Sequence, residues 1–232
     1  MQFIKLGRIK NEEPVFNLTR SNAKSRLKWI WFPVLKVGST AIRGMINRHL
    51  RPEWKENDKD DSYNPVAYKN TILRNESING ITPIAFPEGD ADEFYKFTFV
   101  RNPWDRMLSC WCDTRYVNKN TSSEMTEQTP FRDFVKSYSS ANMWLEPNKH
   151  MQMQQAAFMG VDMDYIGRLE SAHAGFSAVC DALGVQKPEQ MLQKNVTDHK
   201  HYSTYYDDET REIVSEIYKD DIVRFGYEFE MQ

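Results

Sequence analysis

The chain of 232 residues is poor in cysteine, holding only Cys110, Cys112 and Cys180. An odd count with a single Cys-x-Cys pair excludes a disulfide framework and fits a reducing compartment. No second Cys/His pair at zinc spacing accompanies Cys110 and Cys112, so no metal site is expected. There is no run of 18 apolar residues, and no membrane span is expected. Met1-Gln2-Phe3-Ile4-Lys5 leads into charged and polar residues rather than a secretory pattern. The expected location is therefore cytoplasmic, and the sequons at Asn17, Asn75, Asn120 and Asn195 carry little weight. Basic residues are not in excess: 30 Lys and Arg stand against 33 Asp and Glu, for a net charge of −3. That argues against general nucleic-acid binding, which needs a basic footprint, but leaves room for a local basic pocket. Internal repeats and low-complexity tracts are also missing.

What is present is a substantial apolar fraction, 40% hydrophobic with 13% aromatic, enough for one core and one domain spanning 1–232. Leu27–Phe32 (LKWIWF) and Phe94–Val100 (FYKFTFV) read as buried strands. Each is followed by a helical pattern, Ser39–Leu50 after the first and a helix opened by Asn102-Pro103 after the second, with Asn as the cap and Pro at the first position. Asp164–Gly167 reads as a short strand. Phe131–Tyr138, His150–Phe158, Ser171–Leu183 (closed by Gly184) and Glu209–Tyr218 read as helices. Residues 51–93 carry Asp58-Lys59-Asp60-Asp61 and four prolines, and are expected to form a surface excursion on the substrate side. Strand–helix alternation predicts an α/β fold, P-loop-like and three-layered, with a central parallel sheet flanked by helices.

Two segments at strand ends carry the chemistry. Leu35-Lys36-Val37-Gly38-Ser39-Thr40 joins the first strand to its helix, where backbone N–H groups and the helix dipole favour an anion. Gly38 permits a tight turn, Ser39 and Thr40 add hydroxyls, and Lys36 adds a mobile charge. The lysine precedes the glycine by two residues, so this is not the Gly-Lys-Ser/Thr order of a nucleotide-triphosphate loop. A polar turn capped by Ser39 with a solvated Lys36 would read the same way. The second segment is Val100-Arg101-Asn102-Pro103-Trp104-Asp105-Arg106-Met107-Leu108-Ser109. Arg101 lies at a strand's carboxyl end, a usual ligand position in open α/β sheets. Ser109 lies about two turns into the following helix, and shares an anion with Arg101 only if Arg101 folds back along that helix. An ion pair between Arg101 and Asp105, with an ordinary helical serine at 109, is the plain alternative.

Together the two segments resemble the sulfotransferases that use 3′-phosphoadenosine 5′-phosphosulfate (PAPS), in particular the carbohydrate branch that includes the HNK-1 and chondroitin 4-O enzymes. The likeness runs with gaps from Leu27 to Tyr227. It includes His150 and Gln154 of a His-x-x-x-Gln element, Asp164–Glu170, and the tail from Tyr205–Thr210 to Phe225-Gly226-Tyr227. Leu35 stands where that family has proline, Trp104 where it has phenylalanine, and the Trp and Pro that follow the histidine are missing. The resemblance implies an enzyme that moves a sulfuryl group from PAPS to an acceptor hydroxyl of a carbohydrate or small metabolite, leaving adenosine 3′,5′-bisphosphate, without a metal. The animal members of that family are membrane-anchored Golgi proteins with disulfides, features not expected here, where composition and charge point to a soluble chain with no nucleic-acid partner and no membrane span. The resemblance also implies that Lys36, Val37, Gly38, Ser39 and Thr40 hold the 5′-phosphosulfate, with Lys36 catalytic at the bridging oxygen, and that Arg101 and Ser109 hold the 3′-phosphate. His150 is the first choice of general base, with Glu53, Glu56 and Glu76 as rivals. Arg168 and Glu170 read as a buried structural pair under the site, with lining of the cofactor pocket as the alternative. The competing functions are a P-loop kinase or NTPase, which needs a metal-binding aspartate, and a nucleotide-binding module without turnover.

Overall fold

A computed structural model describes residues 28–50, 94–113, 129–146, 148–192 and 200–231. The predicted excursion at 51–93, with Glu53, Glu56 and Glu76, lies outside the described residues. Three strands form one parallel sheet: β1 (Lys28–Phe32), β2 (Phe94–Val100) and β3 (Tyr165–Arg168), with β2 in the middle. Lys28 pairs in register with Phe94 and Phe32 with Thr98 on one side of β2; Phe97 pairs with Tyr165 and Val100 with Arg168 on the other. All three carboxyl ends therefore meet at one edge of the sheet.

The central strand has partners on both edges and side chains buried on both faces. Phe97, Phe99, Thr98 and Val100 are each at most 1% exposed, which is how a parallel strand covered by helices reads. Buried Thr98 satisfies its hydroxyl by donating to the Phe32 carbonyl at 2.6 Å, which also fixes the end of β1 against β2. Phe99 lies over Gly167, where a Cβ would come within 2.5 Å of its ring, so β3 approaches only because that position is glycine.

Six α-helices flank the sheet among the described residues: α1 (Ser39–Leu50), α2 (Pro103–Cys112), α3 (Phe131–Ser137), α4 (Ala172–Leu183), α5 (Asp208–Ile217) and α6 (Lys219–Phe225). α4 packs on β2, β3 and α1, and α2 packs on α3, α5 and a 3-10 turn at Tyr202–Tyr205. α4 ends as expected at Gly184, which takes the left-handed conformation (φ 64°). The predicted helix at His150–Phe158 is not formed. Residues 148–152 are turns, and only Gln154–Phe158 winds, as a 3-10 helix. Side chains take the N–H groups a helix would have used: Asn148 Oδ1 accepts from His150 N–H at 3.1 Å, and Asp221 accepts from Gln154 and Gln155 N–H at 2.7 and 3.2 Å. None of the described helices is long and apolar enough to cross a membrane.

Candidate active site

The site forms where β1 and β2 end. After β1 the chain turns through Leu35–Gly38 with two residues in the left-handed region, Lys36 (φ 67°) and Gly38 (φ 69°). Lys36 is the one non-glycine residue with positive φ among those described, a conformation that needs outside support. The support comes from α2. Arg106 Nε donates to the Leu35 carbonyl at 3.0 Å, and Arg101 Nη1 donates to the Lys36 carbonyl at 3.1 Å. In a trans peptide the N–H points opposite to the C=O. Turning these two carbonyls toward α2 therefore directs the N–H groups of Lys36 and Val37 away from it.

Gly38, not Ser39, takes the capping position of α1, since its carbonyl accepts the first helical bond from Ile42 at 3.0 Å. Ser39 and Thr40 are the first two helical residues. A glycine cap brings no side-chain oxygen to the first-turn N–H groups, which leaves the dipole end of α1 suited to an anion. Val37 is fully buried, so its side chain belongs to the core and it can contribute to a ligand only through its backbone.

Arg101 forms with Asp105 the ion pair of the plain alternative, and so turns toward the start of α2. Its Nε donates to Asp105 Oδ2 at 2.8 Å, one turn along. Ser109 is four residues further and half-exposed, and Asp113 four further again, at the helix C-cap. Asp113 receives Lys36, Nζ to Oδ2 at 3.0 Å, with each side chain 14% exposed. Thus two cations from two strand ends lie along one helix, each held by a carboxylate of that helix, with Ser109 between the carboxylates.

His150 reaches the same corner from the opposite segment. Its carbonyl accepts from Arg106 Nη2 at 2.8 Å and from the Cys110 thiol at 3.2 Å. Burial, then the charges of Lys36 and Arg106, push its pKa down to about 4, with Asp113 acting in the other direction. The ring is therefore neutral at pH 7, and in this state a weak base. Arg106 is 2% exposed and lies under the Tyr218 ring at 5.7 Å. It joins the Leu35 turn to the His150 turn, a role that the sequence reading did not give it, although it quoted the Arg106-Met107-Leu108 run. Asp113 was missed altogether; nothing marks it except its spacing of four from Ser109.

Arg168 and Glu170 are not a buried pair: both are exposed and each bonds to other groups. Arg168 donates to the Phe225 carbonyl and lies 4.7 Å from the Tyr227 ring centre. Glu170 accepts from Asn102 N–H at 2.6 Å and from Tyr227 OH at 3.2 Å. Asn102 caps α2 by accepting from Trp104 and Asp105 N–H. The three cysteines are free thiols. A model of the sulfotransferase family matches residues 20–228. No curated protein and no solved structure matches the chain.

Proposed function

The chain belongs to the sulfotransferase family and is an enzyme of sulfuryl transfer, and from that premise we propose that PAPS is its donor, bound across the ends of β1 and β2, with a carbohydrate or small-metabolite hydroxyl as acceptor. The observation that carries this reading is the convergence of Lys36, Arg101 and the start of α1, which has glycine at its capping position, at one sheet edge. These groups suit a ligand with negative charge at two separated points. A P-loop kinase, the runner-up, is set aside by the family.

In this scheme the backbone of 36–38 and the hydroxyls of Ser39 and Thr40 hold the 5′-phosphate. Arg101 and Ser109 hold the 3′-phosphate, where a planar guanidinium gives a paired, charge-assisted contact. The acceptor oxygen forms a bond to sulfur as the bond from sulfur to the bridging oxygen breaks. Lys36 meets the charge that grows on that bridging oxygen, after exchanging Asp113 for the ligand. His150 takes the acceptor proton. Burial depresses the His150 pKa most and Lys36 and Arg106 add to it; donor charge offsets the part that the two cations impose, so binding makes the ring a better base. The unpaired thiols suit a cytoplasmic location.

The test is turnover of PAPS with sugar, phenol and amine acceptors, comparing wild type with Lys36→Ala and Arg101→Ala. Acceptor-dependent release of the bisphosphate, lost in both variants, is the expected result. Failure of the wild type to bind adenosine 3′,5′-bisphosphate would overturn the reading.

A further inference from the structure

Resting on that donor reading, a second residue bears on how the 3′-phosphate is recognised. Arg101 stands just past the sheet: pairing with β1 ends at Thr98, and pairing with β3 ends at Val100. Its backbone N–H and C=O must then find partners elsewhere. Gln154 supplies both. Its Oε1 accepts from Arg101 N–H at 2.8 Å, and its Nε2 donates to the Arg101 carbonyl at 2.8 Å. A side-chain amide accepts and donates at once through two separate atoms without ionising, and it serves Arg101 as one further residue of a neighbouring strand would.

Gln154 is itself fixed. It is 1% exposed, and its backbone N–H donates to Asp221 Oδ2 at 2.7 Å. Asp221 is fully buried on α6 and takes Gln155 N–H and Nε2 on its other oxygen, each at 3.2 Å. A continuous run of hydrogen bonds thus connects α6 to the backbone of Arg101. On the far side the next N–H, that of Asn102, is held by Glu170. The guanidinium of Arg101 is aimed by Asp105 and the Lys36 carbonyl, and the amide clamp holds both backbone groups of the residue from which that aim starts.

We propose that Gln154 is a positioning residue for Arg101 and sets the preference of the site for a nucleotide bearing a 3′-phosphate. The reading differs from a general structural role in one measurable respect. Loss of the clamp should weaken contacts made by Arg101 most and those at the 5′ end less, since the loop there is also held by Arg106 at the Leu35 carbonyl and by the start of α1.

The experiment compares binding of adenosine 3′,5′-bisphosphate and adenosine 5′-monophosphate by calorimetry, in wild type, Gln154→Met, Gln154→Asn and Arg101→Ala, with thermal unfolding of each. The wild type is expected to favour the bisphosphate. In Gln154→Met that preference should shrink by about tenfold, equivalent to roughly 1.4 kcal/mol, with monophosphate affinity falling much less than bisphosphate affinity. Gln154→Asn keeps a buried amide but is one methylene too short to span both groups, and it serves if the methionine variant does not fold. An unchanged preference in a folded variant, an equal weakening of both nucleotides, or failure of both variants to fold would each overturn the proposal. A wild type that does not distinguish the nucleotides would instead defeat the donor reading itself.

Discussion

Replacing Lys36 by glycine and by alanine should separate the chemistry of this residue from its backbone. Both changes remove the ammonium and its 3.0 Å bond to Asp113, so both leave the same carboxylate behind. They differ at φ 67°. An L-residue in the left-handed region costs about 1–2 kcal/mol, whereas glycine escapes that cost but loses about 0.5–1 kcal/mol more backbone freedom on folding. The difference leaves Lys36→Gly more stable than Lys36→Ala by about 0.5–1 kcal/mol. For a chain of this size each kcal/mol moves Tm by about 2–4 °C, so the glycine variant should melt roughly 1–4 °C higher. Turnover should be lost in both. The assay is scanning calorimetry with urea titration, alongside PAPS turnover. An alanine variant as stable as the glycine one would show that this backbone is not strained in solution, and a glycine variant that still turns over would remove Lys36 from the chemistry.

Three more outcomes follow from the same geometry. Gly38→Ala meets both a positive φ and the Leu169 side chain, 2.8 Å from the added Cβ; bisphosphate affinity should fall, and Leu169→Ala in the same chain should recover only the part due to the clash, as titration of the single and double variants will read. Arg106→Lys cannot reach the Leu35 and His150 carbonyls together, and with about 1.5–3 kcal/mol for a hydrogen bond to a charged group it should lower Tm and turnover alike, measured by calorimetry and PAPS assay. His150, neutral when folded with its pKa near 4 but near 6.5 when unfolded, contributes stability that is fully present above about pH 6.5 and is lost as pH falls from there toward 4; His150→Gln should flatten that part of a urea-denaturation pH profile, and NMR titration should show the His150 pKa rising when bisphosphate binds.

Much of the scaffold was legible because its signals are local. The strands at 28–32 and 94–100 announce themselves by aromatic and β-branched runs, and Asn102-Pro103 states where α2 begins. The site was legible only as a list. That Lys36, Arg101 and His150 converge depends on contacts between residues 36 and 113, 35 and 106, and 106 and 150, which no local pattern encodes. The helix expected at 150–158 failed for the same reason: Asp221, more than sixty residues later, takes the N–H groups that periodicity assigned to a helix. The helix at Ser39–Leu50 begins where its pattern placed it, with Gly38 in the capping position rather than the Ser39 of the alternative reading. α6 went unread because α5 and α6 meet at Tyr218, and the sequence there holds no glycine or proline to mark the break.

The buried guanidinium of Arg106 grips oxygen atoms of the main chain at Leu35 and His150, and every amino acid carries that oxygen. The recognition is therefore one-sided. A leucine can stand at 35 where the resembling enzymes carry proline, and residues other than Trp and Pro can follow His150, without altering what Arg106 holds. Position 106 has no such latitude, since no other side chain presents two diverging donors to two separate turns. This corner keeps its shape under exchange of the residues it fastens together, and depends on the identity of the one that does the fastening.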